Sequence, residues 1–177
     1  MKNNLLSLLV VMVIALSSCA QKKISGTTEQ VVASGQTVVS EPVTPVITYV
    51  RMERTPCFGR CPHYALELRD DGMARYSGYR FTDHQGVYEI GIGSLQAKDL
   101  LAKLAAYRPD TCQSDYEVLI SDIPGVNYRI EFSNQEMKEI YNGHFGPAFL
   151  KEFAQSLDDV LQVDDSWRII SDSASYR

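Results

Sequence analysis

Arg54-Thr55-Pro56-Cys57-Phe58-Gly59-Arg60-Cys61-Pro62-His63-Tyr64 is the stretch around which the chain is organised. Pro56 and Pro62 each lack a backbone donor and fix φ, so a central strand cannot run through either. Before them, residues 47–54 alternate apolar and polar and are rich in β-formers, which predicts a strand. After them, residues 64–69 alternate again, with Tyr64, Leu66 and Leu68 on one face and Glu67 and Arg69 on the other. Two strands therefore flank a tight, proline-bracketed loop.

Working outward, Asp70-Asp71-Gly72 is a hairpin signal, because glycine supplies the positive φ that such turns need. Residues 73–81 return as a third strand and 87–92 as a fourth, an antiparallel meander. Ser94 is the expected N-cap of a helix over 95–107, with Ala97, Leu100, Leu101, Leu104 and Ala105 at helical spacing. Pro109 ends it, and a longer loop over 110–125 holds a candidate short strand at 118–120. Residues 126–132 alternate as a further strand, and 137–141 follow a turn. Pro147 suits the first turn of a second helix, whose stripe is Phe149, Leu150, Phe153, Leu157 and Leu161. The expected fold is a single α+β domain over 46–163. It has a mostly antiparallel sheet, a four-strand meander plus two or three further strands, with two helices packed on one face. Residues 164–177 form a C-terminal tail in which Trp167, Ile169 and Ile170 are apolar enough to return to the sheet.

The N-terminus sets the expected compartment. Lys2 precedes an apolar run over 5–16 broken only by Ser7. That run is too short to span a bilayer, which takes about 20 residues. It reads as the core of a signal peptide over 1–18. Leu16-Ser17-Ser18-Cys19 then resembles a bacterial lipobox, which implies lipidation of Cys19 and a membrane anchor made of acyl chains. Ala20 stands where some bacteria place a retention aspartate, so an outer-membrane, periplasm-facing position is expected. Residues 19–45 are rich in Ser, Thr, Gln, Val and Gly without an aromatic, and read as a tether. The formal charge of −5 argues against a nucleic-acid surface.

In an oxidising envelope, paired cysteines usually form a disulfide, and Cys57 and Cys61 can do so if the loop brings their Cα atoms within about 4.4–6.8 Å. Cys112 is then the odd thiol, and an exchange among the three cysteines stays open. A redox pair is the sharper alternative, although catalytic dithiols usually have two intervening residues and open a helix, whereas here three intervene and a strand follows. A metal site could use Cys57, Cys61 and His63, with His84 as the nearest fourth ligand. Asp83-His84 near Ser77 has the residue types of a hydrolase but no nucleophile elbow, so solvated loop residues are the plainer reading. Asp115, Glu117, Asp122 and His144 read as turn or cap residues. No catalytic residue, metal or cofactor is assigned.

The segment 54–64, followed by Asp71-Gly72 and Tyr76-Ser77-Gly78, resembles a bacterial domain-of-unknown-function family, often found in lipoproteins, with an Arg-x-x-Cys-Phe-Gly-x-Cys-Pro-x-Tyr signature. Further matches are Tyr116, Asp122-x-Pro124 and Gly146-Pro147-x-x-Leu150, so the resemblance covers about 47–160. It implies a recurrent envelope domain and carries no activity with it. The expectation is an envelope lipoprotein whose domain binds a protein or peptide partner or plays a structural role. Arg54, Phe58, Arg60 and His63 are its candidate contact residues. A thiol-redox or metal-dependent envelope enzyme using the Cys57/Cys61 loop is the alternative.

Overall fold

Alternation along one strand sets the architecture. In the computed structural model, which describes residues 45–116, 122–143 and 145–175, β1 (Ile47–Arg54) buries Val50 and Met52 on one face and turns Tyr49, Arg51 and Glu53 to the other. It lies near the middle of a seven-stranded sheet with β2 (His63–Arg69), β3 (Met73–Arg80), β4 (Gly86–Gly91), β5 (Val126–Phe132), β6 (Met137–Asn142) and β7 (Arg168–Ser171). The order is β6-β5-β1-β2-β3-β4-β7, and every neighbouring pair is antiparallel. The meander β1 to β4 matches the sequence reading, and β5 crosses back to pair with β1 on its other side.

Between β4 and β5 runs α1 (Ser94–Ala106), and α2 (Ala148–Val160) follows β6. Their apolar stripes share one core with the even-numbered sheet residues. Leu100, Leu101 and Leu104 from α1 and Leu150, Phe153 and Leu157 from α2 meet Val50, Met52, Leu66, Leu68 and Ile130. Both helices therefore cover the same face. Ser94 does not cap α1: it is the first helical residue, and Gly93 occupies the cap position at φ 87° with no side-chain hydrogen bond. The positive φ at Gly93 favours glycine there, and a Cβ on Gly72 would lie 2.5 Å from the Gly93 carbonyl carbon, so the β2–β3 turn packs against the start of α1 only with glycine at 72. Pro147 likewise sits one place before the first turn of α2.

The fold runs on past residue 163. Trp167 is only 7% exposed and donates its indole N–H to the Gln162 carbonyl at 2.9 Å. The chain then pairs with β4 as β7, which closes an edge that would otherwise show bare donors and acceptors. At the opposite edge, Asp115 forms an isolated parallel bridge to Tyr141 of β6. The candidate strand at 118–120, Glu117, His144, the leader, Cys19 and the tether up to residue 44 lie outside the described residues.

The face without helices is polar. In register, Glu139, Arg129, Arg51, Glu67, Arg75, Glu89 and Arg168 line up across all seven strands. Arg75 donates to Glu89 at 3.0 Å, Arg168 reaches the same carboxylate at 2.9 Å, and Arg129 pairs with Glu131 at 2.9 Å. Two shallow concavities of about 670 and 720 Å³ lie along this row.

Trp167→Ala should cost about 3 kcal/mol, the loss typical of truncating a well-packed large aromatic. Urea unfolding of the purified protein checks this, and a loss under about 1 kcal/mol would mean that β7 is dispensable to the fold.

Candidate functional site

The loop between β1 and β2 sits at one end of the sheet, beside the β3–β4 turn and the C-terminal turn of α2. The Cys57–Cys61 disulfide closes it, with a Cα–Cα distance of 5.6 Å. The bond expected from the proline-bracketed spacing is therefore present, and Cys112 remains a free, half-buried thiol whose pKa burial pushes up. Inside the loop, the Gly59 N–H donates to Cys57 Sγ at 3.3 Å. The loop is also tied to β5: the Thr55 N–H donates to the Gly125 carbonyl at 3.0 Å, and the Gly125 N–H donates to Thr55 Oγ1 at 2.7 Å.

Its base is clamped. Arg54 and Tyr64 are cross-strand partners, and both reach Asp158 on α2. Arg54 Nε donates to Asp158 Oδ2 at 2.8 Å and to the Tyr64 hydroxyl at 2.9 Å; Arg54 Nη2 also donates to Asp158 Oδ2. The Tyr64 hydroxyl donates to Asp158 Oδ1 at 2.6 Å. Burial, and then the hydrogen bond to Asp158, push the Tyr64 phenol far above its ordinary value, so it stays a donor. Arg54, a candidate contact residue from sequence, is thus spent on holding the loop to the helix.

Above the clamp the loop is open. Phe58 is 91% exposed, and Gly59, Arg60 and Pro62 are exposed with it. Beside it lies Phe81, 41% exposed and held at φ 57°, a left-handed conformation that costs a non-glycine residue roughly 1–2 kcal/mol. The Arg60 and Arg80 guanidinium carbons lie 5.8 and 5.1 Å from the Phe81 ring centroid, within cation–π range. Gly78 permits the Phe81 turn: a Cβ there would lie 2.0 Å from the His84 carbonyl oxygen. A shallow groove of about 440 Å³ runs from Pro62 past Tyr64, Phe81, Thr82 and His84 to Asp158.

His63 points away from this surface. It is 4% exposed, its Nε2 lies 3.1 Å from Glu53 Oε1, and its ring packs 4.7 Å from that of Tyr79. Arg51 donates to Glu53 Oε2 at 2.5 Å and to the Tyr79 hydroxyl at 3.2 Å, which completes a buried polar network under the sheet's open face. The candidate set of Cys57, Cys61, His63 and His84 does not converge: the sulfurs bond each other, and His63 faces Glu53. Among the described residues no group of three or more His, Cys, Asp or Glu gathers to hold a metal ion. Phe58 and Arg60 are therefore the two predicted contact residues brought together at the surface. Phe81 and Arg80, which sequence reasoning missed, join them. Their signal lies in the connection after β3, but an Arg-Phe pair at a strand end does not by itself point to a site.

Residues 48–161 match the family described as a domain of unknown function, DUF6438, and the chain belongs to that family. No curated protein and no solved structure gives a significant match.

Two outcomes are expected. Asp158→Asn should cost about 2 kcal/mol in urea unfolding, because it weakens a charge-assisted pair and leaves Arg54 without its counter-charge. The phenols of Tyr49, Tyr64, Tyr76 and Tyr128 are all raised, chiefly by burial. A phenol with a raised pKa holds its proton more tightly when folded. Its stabilisation is complete below the unfolded value of 10.0 and is lost as pH rises beyond it. Ultraviolet titration should therefore show Tyr49, Tyr64 and Tyr128 ionising only with alkaline unfolding and Tyr76 after a free phenol; ionisation of all ten tyrosines near pH 10 in the folded protein would contradict the geometry.

Proposed function

We propose that this DUF6438 protein is a membrane-anchored envelope lipoprotein whose domain is a binding module, with the disulfide-held loop as its contact surface. The observation that carries this reading is Phe58, 91% exposed on a loop fixed at its base by a disulfide and by the Arg54–Asp158–Tyr64 clamp. A large aromatic held out in water is an anchor in search of a pocket, and buried aromatics dominate interface energies. A preorganised loop loses little conformational entropy when it docks. The chemistry of the loop favours binding over turnover: its sulfurs are joined, and its neighbouring histidine is buried against a carboxylate.

The anchor rests on the sequence. Cys19 carries the acyl chains, and residues 19–45 tether the domain to the outer membrane, facing the periplasm. The partner is an envelope protein or peptide, and no cofactor is needed.

Cys19→Ser should abolish incorporation of labelled palmitate and move the protein from the membrane fraction to the soluble fraction. Phe58→Ala should weaken in-cell crosslinking to the partner by at least about tenfold, the effect of removing a central aromatic anchor, with the urea midpoint unchanged. Undiminished crosslinking by the Phe58→Ala protein would remove the loop from the contact surface.

A further inference from the structure

Resting on that reading, we infer that the partner presents an acidic segment: carboxylates flanking an apolar side chain, received by Arg60 and Arg80 around Phe58 and Phe81. The case begins with how arginines are used elsewhere. Each of the other described arginines is ion-paired to an Asp or Glu. Arg60 and Arg80 have no carboxylate among the described residues, and their guanidinium carbons gather instead over the Phe81 ring, at 5.8 and 5.1 Å. In a protein with 22 acidic and 17 basic residues, two arginines without an acid stand out.

Their setting makes them receptive. An arginine stacked on an aromatic keeps its N–H edge free for a carboxylate, which it can bind with two parallel hydrogen bonds. Both arginines lie over Phe81, which is 41% exposed, and Arg60 is two residues along the loop from Phe58, which is 91% exposed. Asp83, the carboxylate of the adjacent turn, makes no ion pair with either arginine. Apolar surface rimmed by unneutralised positive charge fits an acidic segment with an apolar residue between its carboxylates. An anionic lipid surface has related chemistry, but the groove of about 440 Å³ beside the two arginines suits an extended acidic segment better than a planar headgroup surface.

The test uses the full-length acylated protein in zwitterionic nanodiscs and fluorescently labelled probe peptides. One probe is an acetylated Glu-Glu-Leu-Phe-Glu-Glu peptide, and its counterpart has glutamine at each glutamate. Anisotropy should show the acidic probe binding about tenfold more tightly at low salt, with the preference fading at high salt. The doubly substituted R60Q/R80Q protein should lose that preference, and Phe58→Ala should weaken both probes alike. Equal binding of the two probes, no binding of the acidic one at millimolar concentration, or a preference that survives R60Q/R80Q overturns the acidic partner. Arg60- and Arg80-dependent binding of the soluble Cys19→Ser protein to phosphatidylglycerol vesicles, without peptide discrimination, also overturns it, in favour of a lipid surface. If Phe58→Ala abolishes partner crosslinking while R60Q/R80Q leaves it unchanged, the acidic partner fails and the loop stands as the contact surface. If Phe58→Ala leaves crosslinking intact, both fall.

Discussion

A single carboxylate holds the cysteine-loop end of this protein in place. Asp158 accepts from Arg54 at the end of β1 and from Tyr64 near the start of β2, so one helix residue joins both strands that carry the cysteine loop. Without that junction the loop base would be held only by ladder hydrogen bonds and by the Thr55–Gly125 pair. With it, the loop base is fixed to the core, because Leu157, the residue before it on α2, is fully buried. The three groups are half-buried, where charge-assisted hydrogen bonds gain strength from reduced screening without the full cost of deep desolvation.

This accounts physically for the ends of the Arg-x-x-Cys-Phe-Gly-x-Cys-Pro-x-Tyr stretch. Arginine and tyrosine sit at its termini because they face each other across the β1–β2 ladder and share one acceptor. The cysteines tie the loop above them. The chain-entropy estimate for so small a ring is about 2 kcal/mol, so the bond shapes the loop more than it holds the domain together. Gly146 follows the same logic of close contact: its N–H donates to the Asn142 side chain at 3.0 Å, and a Cβ there would collide with that oxygen.

Much of the fold was legible in the sequence because its strands bury one face and alternate cleanly. Val126, Tyr128, Ile130 and Phe132 announce β5, and the leucine stripes announce both helices. Helix starts were less legible, since Ser94 has the right chemistry for a cap but the cap position falls on Gly93, whose positive φ favours glycine. β7 was ambiguous for a related reason: its isoleucines stay exposed, and only Trp167 is buried. In the candidate site, the disulfide followed from spacing and flanking prolines. The roles of Arg54 and His63 did not, because their partners Asp158 and Tyr79 lie 104 and 16 residues away. Nor could sequence bring Phe81 beside the loop, because that depends on how the β3–β4 turn folds over Gly78.

The row of charges across the uncovered face has a consequence for how the strands find one another. If β2 slid by two residues against β1, every apolar side chain would still point inward, so burial alone could not reject the mistake. In one direction, that displacement would set Arg51 opposite Arg69 and Glu53 opposite Glu67, where the native ladder sets Arg51 against Glu67. Like charges facing across a strand pair repel. The wet side of the sheet thus proofreads an alignment to which the oily side is blind.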